Sequence, residues 1–173
     1  MNGFFVRGML EIQPTIAGEI LKNGSFGLSL ITAATGLGAL LGSMWVGFGA
    51  KAGFKAEKVI LPMLYAGFVV AVFIVFFNNL YVSSFLFLVA GFTATSVGIG
   101  SQTIIQLEVD DSYRARVLTW WSTMSFGFLT LGGLILGYAG EIIPLRTAMI
   151  VMPIVGIIIF KVIWYYRFKN KFI

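Results

Sequence analysis

Apolar residues come in long uninterrupted blocks, and the charged residues fall between them. A helix needs ~20 mostly apolar residues to cross a bilayer core of ~30 Å. Residues 26–49 form one uncharged block of that size, closed by Lys51, Lys55 and Lys58. Residues 59–107 carry no charge at all, a stretch too long for one crossing, and Asn78-Asn79 divides it into two spans joined by a tight turn. A polar loop over 108–116 leads into an apolar block over 117–140, and the last block runs over 147–166. The pattern predicts complete spans at 26–49, 59–77, 80–107, 117–140 and 147–166. A shorter apolar stretch, 1–16, contains Arg7 and Glu11 and ends around Pro14. It reads as the outer portion of a further helix that begins upstream of Met1. A signal peptide fits less well, because Glu11 interrupts the apolar region and no small-residue cleavage site follows.

Composition agrees on the medium. Only 11% of the 173 residues are charged and 58% are hydrophobic, against roughly 25% charged in soluble domains. Such a chain cannot cover its surface with polar groups in water, and it is too apolar for disorder. The fold class that follows is all-α, a polytopic transmembrane helix bundle with the lipid bilayer as its partner. Cysteine is absent, which removes disulfides, thiolate nucleophiles and thiolate metal sites. Histidine is absent too, and with it the usual base at neutral pH. No catalytic residue, metal or cofactor is expected.

The net charge of +5 sits in short clusters between apolar blocks, which speaks for topology and against nucleic acid. Lys51, Lys55, Lys58, Arg114, Arg116, Lys161, Arg167, Lys169 and Lys171 fall at one set of span ends, and only Lys22 and Arg146 at the other. The positive-inside bias predicts a multi-pass protein with its basic loops and C-terminus in the cytoplasm. Trp120-Trp121 and Trp164-Tyr165-Tyr166 then lie at inner boundaries, and Phe76-Phe77 with Tyr81 at an outer one.

A small-residue pattern occurs twice. Thr35-Gly36-Leu37-Gly38-Ala39-Leu40-Leu41-Gly42 reads against Thr130-Leu131-Gly132-Gly133-Leu134-Ile135-Leu136-Gly137. Each has Thr followed by Gly-x-x-x-Gly, a spacing that lets helix backbones approach closely and that is also common in any membrane bundle. Each copy lies on the second member of a three-helix set, and the two run in opposite directions. That is the arrangement of a 3+3 inverted repeat.

With these features in place, the chain resembles the C-terminal half of a major facilitator superfamily transporter. Residues 7–50, RGMLEIQPTIAGEILKNGSFGLSLITAATGLGALLGSMWVGFGA, resemble the seventh and eighth helices of the branch containing enterobactin-type exporters. Residues 106–141, QLEVDDSYRARVLTWWSTMSFGFLTLGGLILGYAGE, match the Gln, acidic cluster, Arg-x-Arg and glycine-rich eleventh helix of that branch. The superfamily's Gly-x-x-x-Asp-Arg-x-Gly-type loop corresponds to residues 47–58. Lys51, Gly53 and Lys55 match there, while Ala50 stands where the acid belongs, which weakens the charge relay at that gate. The resemblance implies a six-helix half with a 3+3 repeat, working with an N-terminal six-helix half from the same chain or a second copy. It also implies a bacterial inner-membrane location and export of a small organic molecule by alternating access, driven by proton exchange.

Arg7 and Glu11 are four apart, so on a helix they share a face and can pair. An arginine deep in a membrane usually faces a cavity or a partner, so the pair reads either as a substrate or proton site or as an ion pair that fixes the first helix. Gln102 and Gln106 share a face one turn apart, as interhelical glue, cavity wall or inner gate. Thr95 and Ser96, beside Thr93, either contact substrate or bond to their own backbone. Asp110, Asp111, Arg114 and Arg116 form either a helix cap with a topology signal or a cytoplasmic salt-bridge latch. Lys161 snorkels to the inner interface. Gly36-x-Gly38 lies inside an apolar span with no strand before it, so it is no nucleotide loop. The rival to a transporter is a membrane structural or assembly subunit that moves nothing. A membrane enzyme ranks last, having only Asp110-Asp111 to work with.

Overall fold

Residues 2–20 cannot form one regular α-helix. Pro14 has no N–H to give to the preceding turn and its ring crowds that turn. The backbone breaks at Ile12, with φ −92° and ψ 18°. The computed structural model, which describes residues 2–51 and 56–169, therefore divides this segment into four pieces. A π-helical turn over Asn2–Arg7 leads into α1 (Gly8–Glu11), followed by α2 (Gln13–Thr15) and a second π-helical turn over Ile16–Ile20. Lys22, at φ 52°, and Gly24, at φ 54°, reverse the chain into the long helices. These are α3 (Gly24–Lys51), α4 (Ala56–Ile74), α5 (Leu80–Glu108), α6 (Asp111–Ile142) and α7 (Leu145–Lys169). No strand occurs among the described residues.

Among the described residues, four helices are long and apolar enough to cross a bilayer, over Gly24–Gly49, Leu80–Glu108, Asp111–Ile142 and Leu145–Ile163. The block expected to cross over 59–77 is shorter as a helix, because α4 stops at Ile74 and its apolar part is Ile60–Ile74. Val75 and Phe76 close a tight turn onto Val72 and Phe73, and Asn79 then caps α5. The Asn79 side-chain oxygen accepts from the backbone N–H groups of Tyr81 (2.9 Å) and Val82 (3.3 Å), two donors that a helix start otherwise leaves open. At the other boundary, the loop expected over 108–116 is mostly helix. Only Val109 and Asp110 interrupt the path from α5 to α6, and Asp110 takes the N-cap position without a side-chain cap bond.

In lipid, helices gain little from burying apolar surface against each other, so close packing has to hold them. Helix α3 lies against α5 through glycines. A Cβ at Gly38 would collide with the Leu88 carbonyl, one at Gly42 would lie 2.6 Å from the Phe92 oxygen, and Gly91 faces the Thr35 carbonyl in return. The N-terminal segment meets α6 in the same way. A Cβ at Gly8 would lie 2.9 Å from Gly132 Cα, and Gly132 has the Phe4 carbonyl against it. Of the repeated small-residue pattern, Gly38, Gly42, Gly132 and Gly133 lie at contacts, whereas Gly36 and Gly137 face open space. Phe5 and Phe68 meet edge to face at 6.1 Å, and a Cβ at Gly156 would press on both rings, which ties the N-terminal segment to α4 and α7. Tyr65 and Phe160 add a perpendicular ring contact at 5.2 Å between α4 and α7.

The two glycines Gly36 and Gly38 provide a matched test. Gly38→Ala forces a methyl into the backbone of α5 and lowers stability by about 1–3 kcal/mol. Gly36→Ala meets nothing within 4 Å and is neutral or stabilising, because alanine is the better helix former. Thermal unfolding of the two variants in detergent measures the difference, and equal melting temperatures would contradict the packing described.

Candidate functional site

Arg7 closes the first π-helical turn, and its side chain crosses to α5. One Nη2–H donates to the Ala94 carbonyl over a long 3.4 Å, and the guanidinium has no other hydrogen bond among the described residues. Gly98 makes room for it, since a Cβ there would lie 2.8 Å from Nη2. The side chain is half-buried and borders three recesses. A cavity of about 300 Å³ extends past Ser101, Trp121 and Ser125 to Phe160. A second, of about 140 Å³, is walled by Gln102, Ser122 and Trp121. The third, about 230 Å³, lies toward Glu11, Thr35 and Thr95.

The expected Arg7–Glu11 ion pair is not formed. Glu11 is exposed, and the one salt bridge among the described residues lies elsewhere. The reason is local: π-helical winding through Arg7 and the break at Ile12 replace the regular turn that the four-residue spacing assumes. The two side chains still border one recess, from opposite ends of α1.

Hydroxyls on α5 separate sharply. Ser83, Ser84, Thr93, Ser96, Ser101 and Thr103 all donate to backbone carbonyls, Ser96 to Phe92 at 2.7 Å. Thr95 makes no hydrogen bond among the described residues, and it borders the recess of Arg7 and Glu11. Ser96, the other hydroxyl expected on the pathway, is fully buried at the α3–α5 contact, with its oxygen beside Gly42. Gln102 is half-buried in a recess wall and Gln106 is exposed, so the pair is split by depth.

At the charged end of α6 the contacts among the described residues are local. Arg114 pairs with Asp111 one turn back at 2.5 Å and donates to the Val109 carbonyl at 3.3 Å. Asp110 and Arg116 are exposed. Gly53 and Lys55 lie outside the described residues, and Lys51 is described only as the last residue of α3. At the far end of the bundle, Arg146 donates to the Asn78 side-chain oxygen and joins the start of α7 to the α4–α5 turn.

Sequence reasoning missed Gln13. It is buried, its amide nitrogen donates to Thr35 Oγ1 at 3.0 Å, and its carbonyl oxygen accepts from Thr32 Oγ1 at 2.9 Å. Thr35 passes the chain on to the Ile31 carbonyl at 2.7 Å. This clasp fixes the N-terminal segment to α3 just beyond Arg7 and Glu11. Ser122 and Ser125 were missed as well, although their three-residue spacing inside an apolar block puts both on one face of α6.

Removing the clasp and removing the unpaired hydroxyl have opposite consequences. Gln13→Leu leaves Thr32 and Thr35 without their partner and destabilises by about 1–3 kcal/mol. Thr95→Val removes no hydrogen bond and leaves the melting temperature unchanged within error. Thermal unfolding of both variants checks this, and a large loss from Thr95→Val would mean that its hydroxyl is structural.

Comparison with curated proteins gives no match, and comparison with solved structures gives none either. A family described as transmembrane secretion effector matches residues 2–171, nearly the whole chain. The apolar helices and that match together identify the chain as a membrane protein of the transmembrane secretion effector family, transporters of the major facilitator type.

Proposed function

We propose that this chain is the C-terminal six-helix bundle of a secondary active transporter that exports a small organic molecule by alternating access. The single observation that carries the reading is the half-buried Arg7 guanidinium, with donors to spare, at the meeting point of three recesses between the N-terminal segment, α5 and α6. A charge in an apolar bundle is costly unless it meets a partner or water, and transporters put such groups on their substrate and ion paths. Arg7, Glu11, Thr95 and Gln102 line that path in this reading. Glu11 is the acid available for proton exchange.

Packing supports a 3+3 inverted repeat. In each three-helix set, a glycine of the second helix lies against a backbone carbonyl of the other set's first helix: Gly38 on Leu88, and Gly132 on Phe4. Exchange of the two sets carries one contact into the other, as an inverted pseudo-twofold requires. The bundle rocks against an N-terminal six-helix half, from the same chain or a second copy, around a site near the membrane midplane. In this reading the basic loops and the C-terminus face the cytoplasm, as the charge bias suggests, the membrane is a bacterial inner membrane, and Gln106, Asp110, Asp111, Arg114 and Arg116, together with Lys51, Gly53 and Lys55 from the preceding cytoplasmic loop, serve the inner gate.

The chain has no cysteine, so single replacements report without background. Thr95→Cys and Gln102→Cys react with a membrane-impermeant maleimide in oriented vesicles, and Ser84→Cys and Ser96→Cys, packed between helices, do not. Complete inaccessibility of 95 and 102 from both sides would leave a structural subunit as the better reading.

A further inference from the structure

We infer that the Arg7 recesses bind the carboxylate of an amphipathic organic monoanion, with the apolar body of the solute against Trp121 and Phe160. The guanidinium is the starting point. Arginine presents a planar fork of N–H donors that matches a carboxylate in two parallel bonds. Here only one N–H is engaged among the described residues, and weakly, at 3.4 Å from the Ala94 carbonyl. The guanidinium borders the recess, and Gly98 leaves it room there, since a Cβ would lie 2.8 Å from Nη2.

Charge sets the valence of the ligand. Among the described residues bordering the two recesses on the Trp121 side, Arg7 is the one charged group. One half-buried cation balances one negative charge. A dianionic phosphate would leave a second charge uncompensated beside apolar walls, which is unfavourable. A cationic or zwitterionic amine would find no acid among the described residues of these two recesses, since Glu11 borders the third Arg7 recess and neither of them.

The remaining walls describe the rest of the solute. Ser122, Ser125 and Gln102 offer side-chain hydrogen-bonding groups that make no hydrogen bond among the described residues. Trp121 borders both recesses, and Ile60, Leu64 and Phe160 extend the larger one as an apolar wall. A volume of about 300 Å³ is at the small end for ligand sites. It suits a body of one or two fused rings. The inference rests on the transport reading for the solute's route into the bundle, while the site itself stands on this geometry.

The test is a binding titration of the full chain in phosphatidylcholine nanodiscs, by calorimetry, with four probes of one shape: 2-naphthoate, 2-naphthylmethanol, 2-naphthylmethylamine and 2-naphthyl phosphate. The carboxylate binds about tenfold or more tightly than the other three. Arg7→Gln removes that preference and leaves the weak binding of the alcohol. Should Arg7→Gln fail to fold, Gly98→Ala keeps the arginine but pushes its guanidinium aside, and it weakens the carboxylate selectively. Equal binding of alcohol and carboxylate, preference for the amine or the phosphate, or a carboxylate preference that survives both substitutions would overturn the inference. These results are separable from the maleimide test. An accessible Gln102→Cys with no carboxylate preference rejects the anion site and keeps the transport path. An Arg7-dependent carboxylate site with 95 and 102 sealed from water keeps the site and rejects the path.

Discussion

Backbone contact between helices at glycine is the constraint on which the rest depends. Lipid is as apolar as leucine, so the force that collapses soluble proteins is weak between these helices, and stability comes from how closely they approach. Gly38, Gly42 and Gly91 bring α3 onto α5, and Gly8 with Gly132 brings the N-terminal segment onto α6. Each contact replaces side chains with main chain, where many small attractions add up. Because the second contact holds residues 2–11 against α6 while Phe5 and Phe68 tie them to α4, Arg7 can only point into the space beside α5.

That placement explains why an arginine is tolerated in so apolar a chain. The N-terminal segment is irregular around it, with π-helical turns on both sides of two short α-helical pieces. Such windings often accompany functional sites because they re-aim side chains that a regular helix would stack. Here the consequence is that Arg7 and Glu11 are not paired to each other and remain available to a third group. The Gln13 clasp to Thr32 and Thr35 holds the far side of the break, so the irregular segment is fixed at both ends.

Much of this was legible in the order of apolar and charged residues. Uncharged runs overlap α3 and α5 closely, a mostly apolar run overlaps α7, and Asn78-Asn79 marks the turn from which Asn79 caps α5. Small-residue spacing pointed to the right helices, with Gly38 and Gly132 at the contacts. Local patterns could not foresee the rest, because it depends on partners far along the chain. Charge density made residues 111–116 read as loop, yet at a membrane boundary charged residues form an exposed first turn of α6 without penalty. Thr95 and Ser96 look equivalent in sequence, and only the approach of Gly42 buries one while the other borders the recess. Gln13 gives no local sign that its partners lie on α3.

The most direct measurement of this account is a disulfide between the N-terminal segment and α6, since their contact places Arg7. A Cβ at Gly3 lies 3.7 Å from Phe128 Cβ, close to the ~3.8 Å typical of disulfides. With no native cysteine to interfere, Gly3→Cys combined with Phe128→Cys should cross-link rapidly under mild oxidation in native membranes. Gly3→Cys combined with Phe85→Cys, on the exposed face of α5, should not. Absence of the first cross-link, or equal yields from the two pairs, would mean that the segment lies elsewhere and that the Arg7 site is wrongly built.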